Sequence, residues 1–241
     1  MSHEFSIIVP VLNEADCVER LVDEISQVFS GRSYEMVFVD DGSTDDTLPR
    51  LIALKDAFPE LRVLSLPQNQ GKSLALRSGI EAATSPLIGL IDGDGQDDPA
   101  DLLRLYRMFV APNAPESLGM VMGERAHRQE PALRRAASGL ANLIRRLRLG
   151  DGARDSASPL KVLRRDTYLD LPFFNGMHRF MPALVKAADL RVAFAEVHQR
   201  PRFAGRSKYT LLNRFGAGLA DLGGVAWLVQ RQTKSLTPKE H

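Results

Sequence analysis

The chain has 241 residues, of which 44% are hydrophobic and 25% are charged, and its formal net charge is +1. This length suffices for one α/β domain with a buried core, and the near-neutral charge argues against a nucleic-acid-binding protein. Cys17 is the single cysteine, which excludes an internal disulfide framework or a cysteine-based metal site and favours a reducing, cytoplasmic setting.

Strands and helices alternate through the first hundred residues, as judged from short apolar runs and from segments of helical period. The predicted strands are Phe5–Val9, Met36–Val39, Leu61–Leu66 and Leu87–Ile91. The predicted helices between them are Glu14–Phe29, Thr44–Ala57 and Gly71–Ala83. Apolar strands separated by helices predict an α/β fold whose mostly parallel sheet has helices on both faces.

The pattern changes after residue 111. The predicted elements are a strand over Leu118–Gly123, a basic helix over Pro131–Leu149, a loop over 150–159 and helical pieces over 160–189. They are followed by a last strand over Arg191–Val197 and an amphipathic helix from about Tyr209 to Arg231. Acidic residues are concentrated before this half and arginines within it, which suits a metal and diphosphate in the first half and an anionic partner in the second.

The sharpest motif is Asp92-Gly93-Asp94-Gly95-Gln96, directly after an apolar strand. Two carboxylates at a strand end can turn toward one divalent cation, and such oxygen ligands suit Mg²⁺ or Mn²⁺ bound together with phosphate oxygens. The alternatives are a solvated turn or a calcium loop. The position at the carboxyl edge of a parallel sheet, where ligands bind, favours the metal.

A second acidic cluster, Asp40-Asp41-Gly42-Ser43, follows the second predicted strand. A carboxylate here can accept hydrogen bonds from a base or a ribose, as the acidic residue of other nucleotide-binding folds does. The alternative is that Asp41 caps the following helix while Gly42 forms the turn. We favour nucleotide contact for Asp41 and leave both readings open for Asp40.

Together with Pro10-Val11-Leu12-Asn13-Glu14 and Asn69-Gln70-Gly71-Lys72, these loops resemble the GT-A-fold inverting glycosyltransferases of family 2. The branch in question is similar to dolichol-phosphate mannosyltransferases and bacterial polyprenyl-phosphate glycosyltransferases. The likeness runs from Ser6 to about Lys208. It implies a Rossmann-like GT-A domain over 1–208, with a nucleotide-sugar half (1–110), an acceptor half (111–208) and a C-terminal helix and tail (209–241).

The resemblance also implies roles for single residues. The nucleotide-binding residues are Pro10, Asn13, Glu14, Asp41, Lys72 and Asp92. The ligands of Mg²⁺ or Mn²⁺ are Asp92, Asp94 and Gln96, of which Asp94 is also catalytic. Family members often have larger residues where this chain has Gly93 and Gly95, a departure that affects the rigidity of the loop and its sugar contacts rather than the metal.

Basic residues of the second half match positions that bind a lipid phosphate in the resembling branch. The acceptor-phosphate residues so implied are Arg125, Arg134, Ser138, Arg202 and Lys208, with Arg202 also catalytic. An arginine fork can donate two hydrogen bonds to phosphate oxygens, whereas a solvated surface explains many arginines equally well. His178, at the start of a predicted helix, either approaches a substrate phosphate or is structural.

The reaction implied is transfer of a sugar, with inversion, from a UDP- or GDP-sugar to undecaprenyl or dolichyl phosphate. A phosphate acceptor is ionised near neutral pH, so positioning and charge stabilisation carry the rate and no strong base is needed. Transfer to a saccharide or glycolipid hydroxyl would need a base, for which Asp155 is the candidate. A nucleotide-sugar-binding partner protein without turnover is the alternative from another class.

The terminal helix places Trp227 among apolar residues and ends on Arg231. This composition is typical of a helix at a membrane surface and predicts peripheral contact with the cytoplasmic face of a membrane. A homodimer contact, a membrane partner subunit or ordinary core packing would use the same residues.

Overall fold

The computed structural model describes residues 3–125, 145–201 and 211–231. Its strands are β1 (Phe5–Val11), β2 (Tyr34–Asp40), β3 (Leu61–Ser65), β4 (Leu87–Leu90), β5 (Leu118–Arg125), β6 (Lys161–Arg164) and β7 (Arg191–Val197). Its helices are α1 (Ala15–Phe29), α2 (Thr47–Leu54), α3 (Lys72–Ala82), α4 (Pro99–Phe109), α5 (Arg165–Asp170), α6 (Met181–Ala187) and α7 (Leu211–Arg231). A single 3₁₀ turn, Met177–Arg179, precedes α6.

Within the described residues the strands form one sheet in the order β3-β2-β1-β4-β6-β5-β7. β1 is parallel to β2 and β4, and β5 is parallel to β7, whereas β6 is antiparallel to both of its neighbours. The mostly parallel sheet predicted from the apolar runs is therefore confirmed. The two predicted halves, 1–110 and 111–208, both contribute strands to it.

The helical pieces predicted over 160–189 are wrong at their start, because Lys161–Arg164 is the strand β6. This run of four residues is too short for its periodicity to separate strand from helix. Pairing with β4 on one side and β5 on the other makes it a strand and buries Lys161, Val162 and Leu163.

Helix boundaries differ elsewhere as well. α2 begins at Thr47 rather than Thr44, and α4 was not predicted although Asp98 caps it and Pro99 occupies its first turn. Of the predicted helix Pro131–Leu149, residues 145–149 are helical and the others lie outside the described residues. Among the described helices, none has the length and apolar character needed to cross a bilayer.

Side chains of alternating direction give the sheet an apolar core on each face. On β1, Ile7 packs with the cluster that contains Leu21 of α1, whereas Ile8 packs with the cluster that contains Leu76 of α3. The strands are thus buried on both sides, which leaves their carboxyl ends as the place where polar side chains can gather.

One buried carboxylate, Glu35 on β2, binds three segments near the amino ends of the parallel strands. It accepts hydrogen bonds from Ser6 Oγ at 2.6 Å, from the backbone and hydroxyl of Thr84 at 2.6 and 2.8 Å, and from Arg62 at 2.6 Å. Burial raises the pKa of Glu35, but these hydrogen bonds outweigh it and lower the pKa below its usual 4.5.

Replacing Glu35 with glutamine should destabilise the protein by about 2 kcal/mol at pH 7, because the pair with Arg62 is lost. The contribution of a carboxylate with a lowered pKa is present above its unfolded pKa and disappears as the pH falls through its folded pKa. The unfolding free energies of wild type and Glu35→Gln, measured with urea, should therefore approach each other as the pH falls from 4.5 through the lowered pKa of Glu35. The exposed Glu116→Gln variant is the control, and a difference that does not change with pH would contradict the argument.

Candidate active site

Polar segments follow β1, β2, β3 and β4 at one edge of the sheet. The strand order reverses between β1 and β4, since β2 and β3 lie on one side of β1 and β4 lies on the other. A crevice outside the carboxyl ends of the strands at such a switch point is where open α/β sheets bind ligands. The predicted nucleotide and metal segments lie along this crevice.

The loops after β1 and β2 are joined by hydrogen bonds. Asn13, in a left-handed conformation with φ of 51°, accepts a hydrogen bond at its side-chain oxygen from the Thr44 amide at 2.7 Å. The Asn13 amide donates to Ser43 Oγ, and the Glu14 amide donates to Thr47 Oγ1, both at 2.8 Å. Asn13 and Glu14 thus help to fix the wall of the crevice.

Asp41 does not cap a helix. Its buried carboxylate accepts hydrogen bonds from the Gln70 amide at 2.8 Å and the Gly71 amide at 2.9 Å, in the loop after β3. The loops after β2 and β3 are in close backbone contact at Gly42. A Cβ at this position would lie only 2.6 Å from the backbone nitrogen of Asn69, so a larger residue would not fit. Asp41 therefore holds the segment that begins α3 and delivers Lys72 to the crevice.

The acidic loop after β4 brings three carboxyl groups, those of Asp92, Asp94 and Asp97, close together. Asp92 forms an ion pair with Lys72, and Asp94 accepts a hydrogen bond from the Gln96 amide at 3.2 Å. Asp97 is 2% exposed, and its Oδ1 has no hydrogen-bond partner among the described residues. Burial, together with repulsion from Asp92 and Asp94, raises the pKa of Asp97 to about 8.

This cluster of carboxyl groups fits a divalent cation. Among the described residues no group of three or more histidine, cysteine or acidic side chains forms a complete metal cage. Mg²⁺ rarely needs such a cage when a substrate supplies phosphate oxygens, because one or two carboxylates then suffice. Asp92 and Asp94 can serve as these ligands, and a cation bound to them would favour the ionised form of the nearby Asp97.

Gln96 faces the segment after β7. The side-chain amide of Gln96 donates a hydrogen bond to the Arg200 backbone carbonyl at 3.4 Å. The backbone carbonyl of Gln96 accepts a hydrogen bond from the Arg200 backbone amide at 2.8 Å. The Arg200 guanidinium also pairs with Glu24 and Asp98, each at 2.7 Å. The acidic loop and the start of the predicted acceptor segment are therefore bound to each other, and a metal-ligand role for Gln96 stays a prediction.

Arg125 and Asp155 form a bidentate pair beside the acidic loop. Arg125 Nε lies 2.5 Å from Asp155 Oδ2, and an Nη lies 3.0 Å from Oδ1. Burial lowers the pKa of Arg125, but the hydrogen bonds to Asp155 outweigh it and raise the pKa. A carboxylate held by an arginine in this way is a poor proton acceptor, so the geometry gives no support to Asp155 as a base.

Lys161 of β6, which the sequence pattern did not assign to the site, is buried and lines a narrow cleft beside Asp92. His178 lines the same cleft, and its Nδ1 lies 2.8 Å from Ser73 Oγ, which also accepts a hydrogen bond from the Gly176 amide at 2.9 Å. Lys161 belongs to a basic run that is typical of a surface, so the sequence carried no signal of its burial. Pro10, at the end of β1, lies behind the acidic loop, where its carbonyl oxygen would be 3.1 Å from a Cβ on Gly93.

The remaining predicted acceptor residues cannot be placed. Arg134, Ser138, Arg202 and Lys208 lie outside the described residues. Contact of Arg125 with an acceptor, like contact of the nucleotide residues with a donor, stays a prediction.

The pair of Arg125 and Asp155 should behave as a structural unit in a double-mutant cycle. Asp155→Ala alone should cost about 3 kcal/mol of unfolding free energy, because it leaves a buried arginine unpaired. Arg125→Met alone should cost a similar amount, and the double variant should cost about 2 kcal/mol less than the sum. Urea denaturation measures all four proteins, and additive effects would contradict the coupling.

Comparisons with known proteins agree with this geometry. Glucosyl-3-phosphoglycerate synthase from Mycobacterium tuberculosis, crystallised with Mn²⁺, UDP and phosphoglyceric acid, has a TM-score of 0.70 at 23% identity, with 97% of this chain and 80% of that chain covered. This likeness shows the fold, which is the GT-A arrangement predicted from the loops.

Two curated relatives are similar in sequence. Dodecaprenyl-phosphate galacturonate synthase of Rhizobium johnstonii is 32% identical over 97% of this chain and 69% of the relative. Undecaprenyl-phosphate 4-deoxy-4-formamido-L-arabinose transferase of Yersinia enterocolitica is 29% identical over 86% of this chain, which spans 63% of that relative. The model of glycosyl transferase family 2 matches residues 6–171. The chain therefore belongs to glycosyl transferase family 2.

Proposed function

We propose that the protein transfers a sugar from a UDP- or GDP-sugar to a polyprenyl phosphate, such as undecaprenyl or dolichyl phosphate, with inversion at the anomeric carbon. The observation that carries this proposal is the clustering of Asp92, Asp94 and the buried Asp97, whose Oδ1 has no hydrogen-bond partner among the described residues, at the switch point of the sheet. Both relatives described above are named for sugar transfer to a polyprenyl phosphate. Their sugars differ, so they do not fix the sugar used here.

The donor would lie along the crevice in the order of the strands. Its nucleoside would occupy the loops after β2 and β1, near Asp41 and Asn13, and its diphosphate would reach the end of β4. Mg²⁺ or Mn²⁺ held by Asp92 and Asp94 would neutralise the charge that builds up on the leaving diphosphate. The M. tuberculosis synthase of the same fold binds Mn²⁺ together with UDP, which supports this arrangement.

The acceptor phosphate would approach from the side of β5 and the segment after β7. An ionised phosphate oxygen attacks the anomeric carbon as the bond to the diphosphate breaks, and no proton has to be removed. The firm pairing of Asp155 with Arg125 supports this chemistry over transfer to a hydroxyl, which would need a free base. Arg202 and Lys208 would supply donors to the phosphate oxygens.

Reaching a lipid requires contact with a membrane surface, which we assign to α7 on the cytoplasmic face. On this helix Leu222 and Val225 are buried against the domain, whereas the Trp227 side chain is 56% exposed and stacks with Arg231 at 5.0 Å. An exposed tryptophan beside an arginine suits the headgroup region of a bilayer. The same patch could instead meet a second copy of the chain or a membrane partner subunit.

Replacing Asp94 with asparagine should lower turnover at least about a hundredfold, because a metal ligand at the leaving group is lost. The assay measures Mn²⁺-dependent release of nucleoside diphosphate and the glycosylated lipid extracted with it. Asp56→Asn is the matched control, since this exposed carboxylate follows α2 at the opposite edge of the sheet. Near-normal turnover of the Asp94 variant would refute the assignment.

Replacing Arg202 with alanine should weaken use of polyprenyl phosphate about tenfold or more while donor binding changes little. Steady-state kinetics with the lipid varied, together with calorimetric titration of the donor, separate the two effects. Arg191→Ala is the control, because this exposed arginine is the first residue of β7 and lies at the end of the strand opposite to the segment that contains Arg202. Equal losses for donor and lipid would argue against an acceptor role.

A further inference from the structure

A buried lysine lies in the cleft next to the acidic loop. Lys161 is 2% exposed and pairs in the sheet with Leu90, two residues before Asp92. The cleft that it lines also contains Lys72, Asp92 and His178. Lys161 therefore lies on β6, which is the neighbour of β4 on the side away from the switch point.

Within the part of the chain that the structure describes, no carboxylate forms an ion pair with Lys161. The nearby carboxylates are already engaged, since Asp92 pairs with Lys72 and Asp155 pairs with Arg125. Lys161 Nζ donates a hydrogen bond to the Ser158 carbonyl, and among the described residues it forms no ion pair. Burial and repulsion from Lys72 lower the pKa of Lys161 to about 7.

Such a residue is costly for the folded protein. A buried ammonium without a carboxylate is less stable than an apolar side chain of the same size in the same place. The cost is removed when a ligand brings an anion to the lysine. A lysine that is buried, unpaired and in contact with a substrate cleft therefore points to an anionic ligand.

The order of the strands indicates which part of the donor reaches Lys161. On the proposed function, the nucleoside lies over β2 and β1 and the diphosphate lies at the end of β4. The next strand outward is β6, so the transferred sugar comes next to Lys161. An acceptor with a long lipid tail needs an open approach, whereas the cleft beside Lys161 is narrow and suits at most a small substituent of the sugar.

We propose that Lys161 is the counter-ion for an anionic group of the donor, and that this group is the carboxylate of a hexuronic acid. An ammonium and a carboxylate form a charge-assisted hydrogen bond, which is stronger than a bond between neutral groups. The same chemistry could come from an oxygen of the diphosphate. If Lys161 binds the diphosphate, the affinity for a neutral sugar nucleotide also depends on Lys161. If Lys161 binds a carboxylate of the sugar, the affinity for a neutral sugar nucleotide does not depend on it.

Calorimetric titration in the presence of Mn²⁺ and without acceptor tests the proposal. The ligands are UDP, UDP-galactose and UDP-galacturonate, and the matched set GDP, GDP-mannose and GDP-mannuronate. Wild type should bind one uronate donor about tenfold or more tightly than its neutral counterpart, and Lys161→Met should lose this preference. Lys186→Met is the control, since Lys186 bonds to the Gly150 carbonyl and lines no part of the cleft.

Each outcome is informative. Equal weakening of all bound ligands in Lys161→Met would support the counter-ion and assign it to the diphosphate, which overturns the hexuronic acid. Unchanged affinities would overturn the role of Lys161 while leaving the donor site intact. Failure of wild type to bind any of the six ligands would overturn the proposed donor and this inference together. Thermal unfolding checks that Lys161→Met is folded, and its melting temperature should rise because the unpaired charge is gone.

Discussion

Mutual repulsion among Asp92, Asp94 and Asp97 at the carboxyl end of β4 is the constraint around which the crevice is built. Three carboxylates in six residues can share one place only if cations approach them. Lys72 and Arg125 do so from two directions and lower the pKa of Asp97, but burial and repulsion still prevail. The ionised form of Asp97 is therefore disfavoured in the protein alone, and a further cation at the loop, such as the metal of a diphosphate site, would stabilise it.

The cations stay in place because the loops that carry them are bound to one another. Asp41 fixes the loop after β3, and that loop starts the helix that bears Lys72. Arg200 fixes the acidic loop from the side of β7 through Glu24 and Asp98. Hydrogen bonds among the loops thus keep like charges close before any ligand arrives, so binding does not have to assemble the site.

The sequence predicted the parts of the fold that depend on local pattern. Apolar runs gave the parallel strands, and the acidic motifs at their ends gave the crevice. β6 was missed because four residues carry no clear period, and its strand geometry comes from its two neighbours in the sheet. α4 was missed although its start signal, Asp98 followed by Pro99, is present in the sequence.

Burial of a charge was the property that sequence could not reveal. Asp97 looks like one more residue of an acidic loop, and Lys161 looks like part of a basic surface run. For Asp41 the helix-cap alternative is wrong, because its carboxylate accepts hydrogen bonds from two amides about thirty residues away, whereas its contact with a nucleotide stays a prediction. The burial of Asp97 and Lys161 and the hydrogen bonds of Asp41 depend on which distant segments the sheet brings together. No local pattern in a single sequence shows these long-range contacts.

Two buried titratable groups, one acidic and one basic, lie near the pair of Lys72 and Asp92. Asp97 has an oxygen without a hydrogen-bond partner among the described residues, and Lys161 has no carboxylate partner there. A ligand that satisfies both must present a cation at one point and an anion at another. A metal-bound sugar nucleotide has this distribution of charge. The buried Asp97 and Lys161 therefore lower the stability of the protein without ligand and are stabilised when the ligand binds.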